Sequence, residues 1–238
     1  MDKVKELQKM IDSSKNIVFF GGAGVSTESG IPDFRSADGL YNQTYKYPPE
    51  KILSHDFFVS HTTEFFRFYR DKMLYLDAKP NMAHKKLAEL EKNDKNVVIV
   101  TQNIDGLHQA AGSSTVYELH GSVLRNNCMK CHKSYDAQYI KESEGVPTCE
   151  CGGMIKPDVV LYEEMLDDMV ISRALSSIVE ADMLIVGGTS LAVYPAAGLI
   201  DYYNGNRLVL INKTPTAYDK KADLVIADAI GDVFSKLE

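Results

Sequence analysis

The residues able to do chemistry fall in five short stretches of a 238-residue chain. The first is Phe20-Gly21-Gly22-Ala23-Gly24-Val25-Ser26-Thr27-Glu28-Ser29-Gly30-Ile31-Pro32-Asp33-Phe34-Arg35. Glycines directly after an apolar run let backbone approach a phosphate. Ser26 or Thr27 would then open a helix whose first N–H groups face the anion. The spacing is not the dinucleotide fingerprint, because Gly22-x-Gly24 is followed by Gly30 and by no glycine three residues on. From the glycines alone an ordinary tight turn is an equal alternative. Pro32, Asp33, Phe34 and Arg35 then set an acid, a ring and a cation beside that turn. The second and third stretches are Gln102-Asn103-Ile104-Asp105 and His120-Gly121, and the fourth is Gly187-Gly188-Thr189-Ser190. Each follows an apolar run, and polar residues at the carboxyl ends of parallel strands are where ligands gather. His120 there is either a base titrating near neutrality or a packing residue. Asp33 and Asp105 taken alone are ordinary turn residues.

The fifth stretch holds all four cysteines: Cys128-Met129-Lys130-Cys131, seventeen residues, then Cys149-Glu150-Cys151-Gly152-Gly153. The pattern is similar to a zinc ribbon. Two tight turns aim two thiolates each at one point, and the gap is long enough for a hairpin. The second pair is one residue shorter than usual, and Gly152 and Gly153 would relieve the strain of that turn. Four thiolates close a tetrahedron and leave no position for water, so the expected Zn²⁺ is structural. A disulfide is disfavoured in a cytoplasmic chain, and a redox pair would leave the other pair unexplained. His132, beside Cys131, is a substitute ligand that four cysteines make unnecessary.

These stretches need elements to hold them. Ile17–Phe20, Val97–Thr101, Val116–Leu119, Met183–Val186, Arg207–Ile211 and Leu224–Ile226 have the apolar, β-branched character of buried strands. Helical periodicity marks Val4–Ile11, Ala83–Leu90, Asp167–Glu180, a helix with Pro195 near its first turn, and a last helix carrying Val233, Phe234 and Leu237. Alternating strands and helices predict an α/β fold with a parallel sheet covered on both faces. Residues 36–80 differ: aromatic residues crowd them and Pro48-Pro49 interrupts them, which predicts a loop and short helices inserted outside the sheet. Those aromatics either pack a core or line an apolar channel. No apolar run reaches 18 residues, and the charged N-terminus has no signal-peptide core, so no membrane span and a cytoplasmic location are expected. A net charge of −7 argues against broad nucleic-acid binding and is compatible with basic protein partners.

In this order the motifs resemble those of the sirtuins, the NAD-dependent protein-lysine deacylases, over roughly residues 4–237. The resemblance implies a Rossmann-like, doubly wound NAD domain (residues 1–35, 81–119 and 158–238) and a small domain. The small domain would combine the helical insertion (36–80) with the zinc ribbon (120–157). Gly22, Ala23 and Gly24 would cradle the pyrophosphate, with Ser26 close by. Ile31, Asp33, Phe34, Arg35 and Tyr41 would lie on the loop over the nicotinamide half of NAD, Phe34 shielding the ribose carbon. Asn103, Ile104 and Asp105 would line the nicotinamide pocket, Asn103 with a catalytic role, and Gln102 would sit near the ribose. Gly188, Thr189, Ser190, Asn212, Lys213 and Ile230 would hold the adenosine half. Val160, Leu161, Tyr162 and Glu163 would grip an extended substrate peptide opposite Val193 and Tyr194, through main-chain hydrogen bonds. His120 would take a proton from a ribose hydroxyl. The products would be lysine, nicotinamide and O-acetyl-ADP-ribose. Cys128, Cys131, Cys149 and Cys151 would hold the one Zn²⁺.

The family's peptide loop usually reads Phe-Gly-Glu, whereas this chain has Tyr162-Glu163-Glu164. Sirtuins that remove acidic acyl groups carry a Tyr and an Arg three residues apart in the helical insertion, a pair aligned here with Phe66 and Tyr69. Without that arginine a buried succinyl carboxylate lacks its partner, so acetyl or longer apolar groups are expected over succinyl. A mono-ADP-ribosyltransferase using the same pocket and a non-catalytic NAD or ADP-ribose sensor are the alternatives. The expected partners are acylated-lysine proteins, and a monomer is favoured.

Overall fold

The computed structural model describes residues 2–36, 39–42 and 45–238. Along the chain run α1 (Lys3–Asp12), β1 (Asn16–Gly21), α2 (Pro49–Ile52), α3 (His55–Ser60), α4 (Thr62–Lys72), α5 (Met82–Lys92) and β2 (Asn96–Thr101). Then come α6 (Leu107–Ala111), β3 (Thr115–Glu118), β4 (Gly121–Cys128), β5 (Ser134–Tyr135), α7 (Ala137–Glu142) and β6 (Ile155–Val159). The last are α8 (Asp168–Val179), β7 (Met183–Gly187), β8 (Leu208–Ile211), β9 (Leu224–Ile226) and α9 (Ile230–Phe234).

Six strands form one parallel sheet in the order β3-β2-β1-β7-β8-β9. Its centre shows why continuous apolar runs are needed. Ile17 and Phe19 of β1 point to one face, into a core with α1, α5 and α9, where Leu7, Ile11, Leu87 and Phe234 lie. Val18 and Phe20 point to the other face, toward Ala174 and Ile178 of α8 and Leu199 and Ile200 beyond β7. Period-two alternation is therefore intact, but both sides are covered, so no residue of the run can be polar. Burying each of Phe19 and Phe20 is worth about 1.5–3 kcal/mol, since both are 0% exposed. Helix ends follow side-chain chemistry: the Asp167 carboxylate accepts from Met169 N and Val170 N at the start of α8.

The topology reverses at β1, whose neighbours are β2 on one side and β7 on the other. That is the switch point at which an open parallel sheet leaves a crevice outside its carboxyl ends. The second sheet is antiparallel, β5-β4-β6, with a bulge between Ser122 and Asn126. The aromatic helices and this sheet share a single core. Phe57, Phe58, Phe65, Phe66, Phe68 and Tyr69 pack with Val123, Cys128, Ile140, Cys149 and Ile155. Most of the aromatics are thus core residues; among the described residues of the 36–80 segment, Tyr41 and Tyr75 are the aromatics that border the crevice.

Two local expectations are corrected, and two further stretches hold elements that the sequence reading did not include. No α-helix opens after the glycine loop; two 3₁₀ turns, Ala23–Val25 and Thr27–Ser29, take its place. Ser26 makes no capping bond there because its hydroxyl is engaged elsewhere, and Gly30, at φ 83°, ends the second turn. The helix expected after β7 is a 3₁₀ helix, Ala196–Tyr202, with Pro195 as its N-cap. The span between the cysteine pairs holds β5 and α7 as well as a hairpin turn. Helix α6 was not anticipated, although Gly106 and Gly112, both at positive φ, bracket it.

Candidate active site

Two backbone loops meet at the switch point. Gly22 N donates to Gly187 O at 3.2 Å and Gly24 N to Gly188 O at 2.8 Å. A Cβ on Gly24 would lie 2.8 Å from Gly188 Cα, and one on Gly188 would lie 2.3 Å from Val25 N. Gly188 also has φ 59°, in the left-handed region. The glycines are therefore required first for the loops to touch one another; the surface they then present is bare backbone.

A chain of side chains crosses the sheet edge below them. Gln102 Nε2 donates to Thr189 Oγ1 at 3.0 Å, and Thr189 N donates to Asn212 Oδ1 at 2.9 Å. These residues end β2, β7 and β8, so strand order brings them together from 110 residues of sequence. Asn212 Nδ2 is buried and has no hydrogen-bond partner among the described residues, while Asn212 borders the crevice. An orphaned donor at such a place costs stability unless a ligand satisfies it.

A second cluster lies on the other side of β1. Ser26 Oγ donates to Asp105 Oδ2 at 2.6 Å and accepts from Asn103 Nδ2 at 3.0 Å. Ser26 is 1% exposed and Asn103 is 8% exposed, while Asp105 is only partly buried. Asp105 also accepts from Leu107 N at 2.9 Å, which combines a turn role with the cluster. Asp33 Oδ1 accepts from Arg35 N and Ser36 N, the local turn that its residue type predicts.

His120 sits between the strand ends and the small domain. Its Nδ1 faces Gln102 O at 3.0 Å, and a carbonyl only accepts, so Nδ1 carries the proton and Nε2 keeps its lone pair. Burial pushes the imidazole below its ordinary range, and the Gln102 bond opposes that in part. The His120 carbonyl accepts from Val160 N at 3.0 Å, tying the base to the segment expected to receive a peptide.

That segment is fixed from the helical insertion. Tyr162 N donates to Leu53 O at 3.0 Å, His55 N to Tyr162 O at 3.0 Å, and Asp56 N to Glu163 Oε2 at 3.0 Å. Glu163 has φ 77°, in the left-handed region that favours glycine, and its bond to the start of α3 offsets the strain. Glu164 accepts from Leu161 N and Lys156 Nζ and pairs with His55 Nδ1, and these partners lower its pKa against the opposing effect of burial. Nothing in the sequence marked Leu53–Asp56 as the scaffold of this loop, because a backbone partner carries no residue-type signal.

One crevice of about 1260 Å³ is bordered by every residue expected to contact NAD or peptide, together with His120. It also takes in Tyr75, one of the aromatics weighed as channel lining, and Thr27, Thr214, Asp228, Ala229, Met73 and Leu76, which carried no expectation. Phe66 and Tyr69 do not border it; both are 0% exposed inside the small-domain core. The alignment that put them against an acyl group is corrected: α4 turns that face inward, and its end supplies Lys72 and Met73 to the crevice instead.

The four cysteines lie apart from the crevice, with all Sγ atoms within 4.8 Å of one another. Cys128–Cys151 and Cys131–Cys149 sulfurs are 3.5 Å apart, close to the roughly 3.8 Å edge of a tetrahedron with 2.3 Å Zn–S bonds. A Cβ on Gly153 would meet Cys128 Sγ at 2.7 Å, which explains the glycine after the short second pair. The donor set fits one Zn²⁺, and His132 is not part of it.

A family model described as the Sir2 family matches residues 22–195. A relative from Clostridium acetobutylicum, an NAD-dependent protein deacetylase, is 62% identical over 237 residues, covering 98% of this chain and 97% of its own. A solved Sir2 complex with a deacetylated p53 peptide and 3'-O-acetyl-ADP-ribose superposes with a TM-score of 0.90 at 39% identity, covering 98% of this chain and 96% of that one. A Sir2 complex with a p53 peptide and NAD+ gives 0.87, also at 39% identity and with the same coverage. The chain belongs to the Sir2 family.

Proposed function

We propose that this protein is an NAD-dependent protein-lysine deacetylase, converting acetyl-lysine, NAD and water to lysine, nicotinamide and O-acetyl-ADP-ribose. The observation that carries the reading is His120: a histidine held as the Nε2 acceptor by Gln102 O, in the same crevice as the Ser26–Asn103–Asp105 cluster and the paired glycine loops. Bound NAD would supply an activated glycosidic carbon, which the substrate amide oxygen attacks. Gly22, Ala23 and Gly24 would present backbone N–H groups to the pyrophosphate, and Asn212 Nδ2 would find its missing acceptor on the adenosine ribose. Ser190, Lys213 and Ile230 would complete that half. Asn103 and Asp105 would bind the carboxamide of nicotinamide, with Ile31, Ile104, Asp33, Phe34, Arg35 and Tyr41 closing the pocket. His120 would receive the ribose hydroxyl proton at Nε2, as a general base should.

The peptide would lie between Val160–Glu163 and Val193–Tyr194 and bond to both main chains. The small domain would comprise the helical insertion and the ribbon, with Zn²⁺ on the four cysteines holding its fold. The apolar lining near His120, Val123 and Leu161 included, supports acetyl and longer apolar acyl groups over succinyl. Among the described residues no helix is long and apolar enough to cross a membrane. We read the protein as a cytoplasmic monomer acting on acylated proteins.

NAD labelled in its adenylate half tests this reading against ADP-ribosyl transfer. With an acetyl-lysine peptide the label is expected in acetyl-ADP-ribose and not on protein. Label retained on protein, without peptide turnover, would refute deacetylation.

A further inference from the structure

Two tyrosines join the segment proposed to cover NAD to the segment proposed to receive the peptide. Tyr41 Oη and Tyr162 Oη are hydrogen-bonded, although 121 residues separate them. Tyr41 is knitted into the first segment. Its N–H donates to Phe34 O at 2.8 Å, and Leu40 N donates to Asp33 O at 2.9 Å. Its ring lies 5.4 Å from that of Phe34, and the Arg35 guanidinium lies 5.4 Å from the ring centroid. Tyr162 is knitted into the second, through Leu53 O and His55 N. Both tyrosines border the crevice. Burial together with the bond to Tyr162 raises the pKa of Tyr41, so its hydroxyl stays protonated.

We infer that Tyr162 is a positioning residue: through its hydroxyl, a bound acyl-lysine peptide holds Tyr41, and with it Phe34 and Asp33, and so tightens binding of the ADP-ribose part of NAD. The phenylalanine that the family's peptide loop usually carries at this place lacks that hydroxyl. The physics is a shared ordering cost. A peptide laid along Val160–Glu163 fixes the Tyr162 ring, the bond then holds Tyr41, and a ligand arriving beneath Phe34 has less freedom to remove. The coupling is reciprocal, so ADP-ribose tightens peptide by the same factor. This inference rests on the proposed use of the crevice by NAD and peptide.

The test is calorimetric titration of ADP-ribose with and without an acetyl-lysine peptide, a mixture that cannot turn over. The proteins are wild type, Tyr162→Phe, Tyr41→Phe and the double variant; phenylalanine keeps the ring and the packing. For wild type, peptide is expected to tighten ADP-ribose about 3- to 10-fold, the range one neutral hydrogen bond provides. Either single variant removes the factor, and the double variant is no worse than either. In steady state Tyr162→Phe is expected to raise the NAD KM by that factor with kcat within about 2-fold, a split that general loosening of the fold would not give. Absence of coupling in wild type, its survival in Tyr162→Phe, or multiplying effects in the double variant would overturn the inference. A wild type that shows the coupling but no deacetylation would refute the proposed function and leave the latch standing. Failure to bind either ligand would overturn both.

Discussion

The two ends of the small domain solve opposite problems. At one end, four sulfurs from one 24-residue stretch converge on a point, and the backbone there exists to serve a metal. At the other, His120 and Val160–Glu163 meet a crevice assembled from the ends of β1, β2, β7 and β8, bordered by residues from 22 to 230. The first site is local and closed. The second is dispersed, and its polar groups are left open to a ligand: Nε2 of His120 and Nδ2 of Asn212 are the clearest cases. A closed site stabilises; an open one must be held by what surrounds it.

Breaking each end should therefore read out differently. His120→Ala should lower kcat by about 10²- to 10⁴-fold, the usual contribution of a general base, with an unchanged melting temperature and intact ADP-ribose binding. Equal losses of both activity and fold would assign His120 a packing role. Removal of Zn²⁺ by chelation, or Cys128→Ser, should instead melt the small domain, lowering the melting temperature by about 10 °C or more, because the cysteine cluster shares a core with the aromatic helices. Unchanged melting in the zinc-free protein would mean the core stands without the metal. Asn212→Ala should raise the NAD KM about 10-fold, since it strips Thr189 N of its acceptor and the crevice of a donor. No change would place the adenosine half elsewhere.

The smallest expected effect is one of acidity. His84 and His108 are buried behind the Asp105 loop, their rings 4.7 Å apart, and burial pushes them down to about 4 and about 3. Asp105 opposes this at His84, and the two histidines disfavour each other's charge. The unfolded chain binds protons on both near the ordinary histidine value of about 6.5, whereas the folded chain does not until far lower pH. Their contribution is therefore whole above about pH 6.5 and is lost steadily as pH falls toward 4. Urea midpoints measured from pH 7.5 to 4.5 should decline, and the decline should be shallower in His108→Phe. For His120, also lowered by burial, the acid limb of kcat/KM should fall below the ordinary histidine value.

The same contrast sets how much was legible in the sequence. The ribbon could be read because its chemistry is written in adjacent residues, and the strands because burial on both faces forbids polar interruptions. Gln102, Asn103, Asp105, His120 and Asn212 could be located as strand-end residues. Their mutual bonds could not, because strand order, not sequence order, makes β2, β7 and β8 neighbours of the site. The helix expected after the glycine loop was wrong for an instructive reason: Ser26, apparently a cap, spends its hydroxyl on Asp105 and Asn103 across the sheet. Phe66 and Tyr69 misled because aligning two helix positions with a family pair does not say which face of the helix is inward. Glu163 gave a true signal, since its acid occupies a glycine-type conformation.

The proposed function requires that the crevice join two substrates so that the acetyl group leaves on ADP-ribose. Mass spectrometry of an acetyl-lysine peptide incubated with NAD tests it most directly. Deacetylated peptide, nicotinamide and acetyl-ADP-ribose are expected in equal amounts, with nothing formed when NAD is omitted. Deacetylated peptide with free acetate and unconsumed NAD would contradict it.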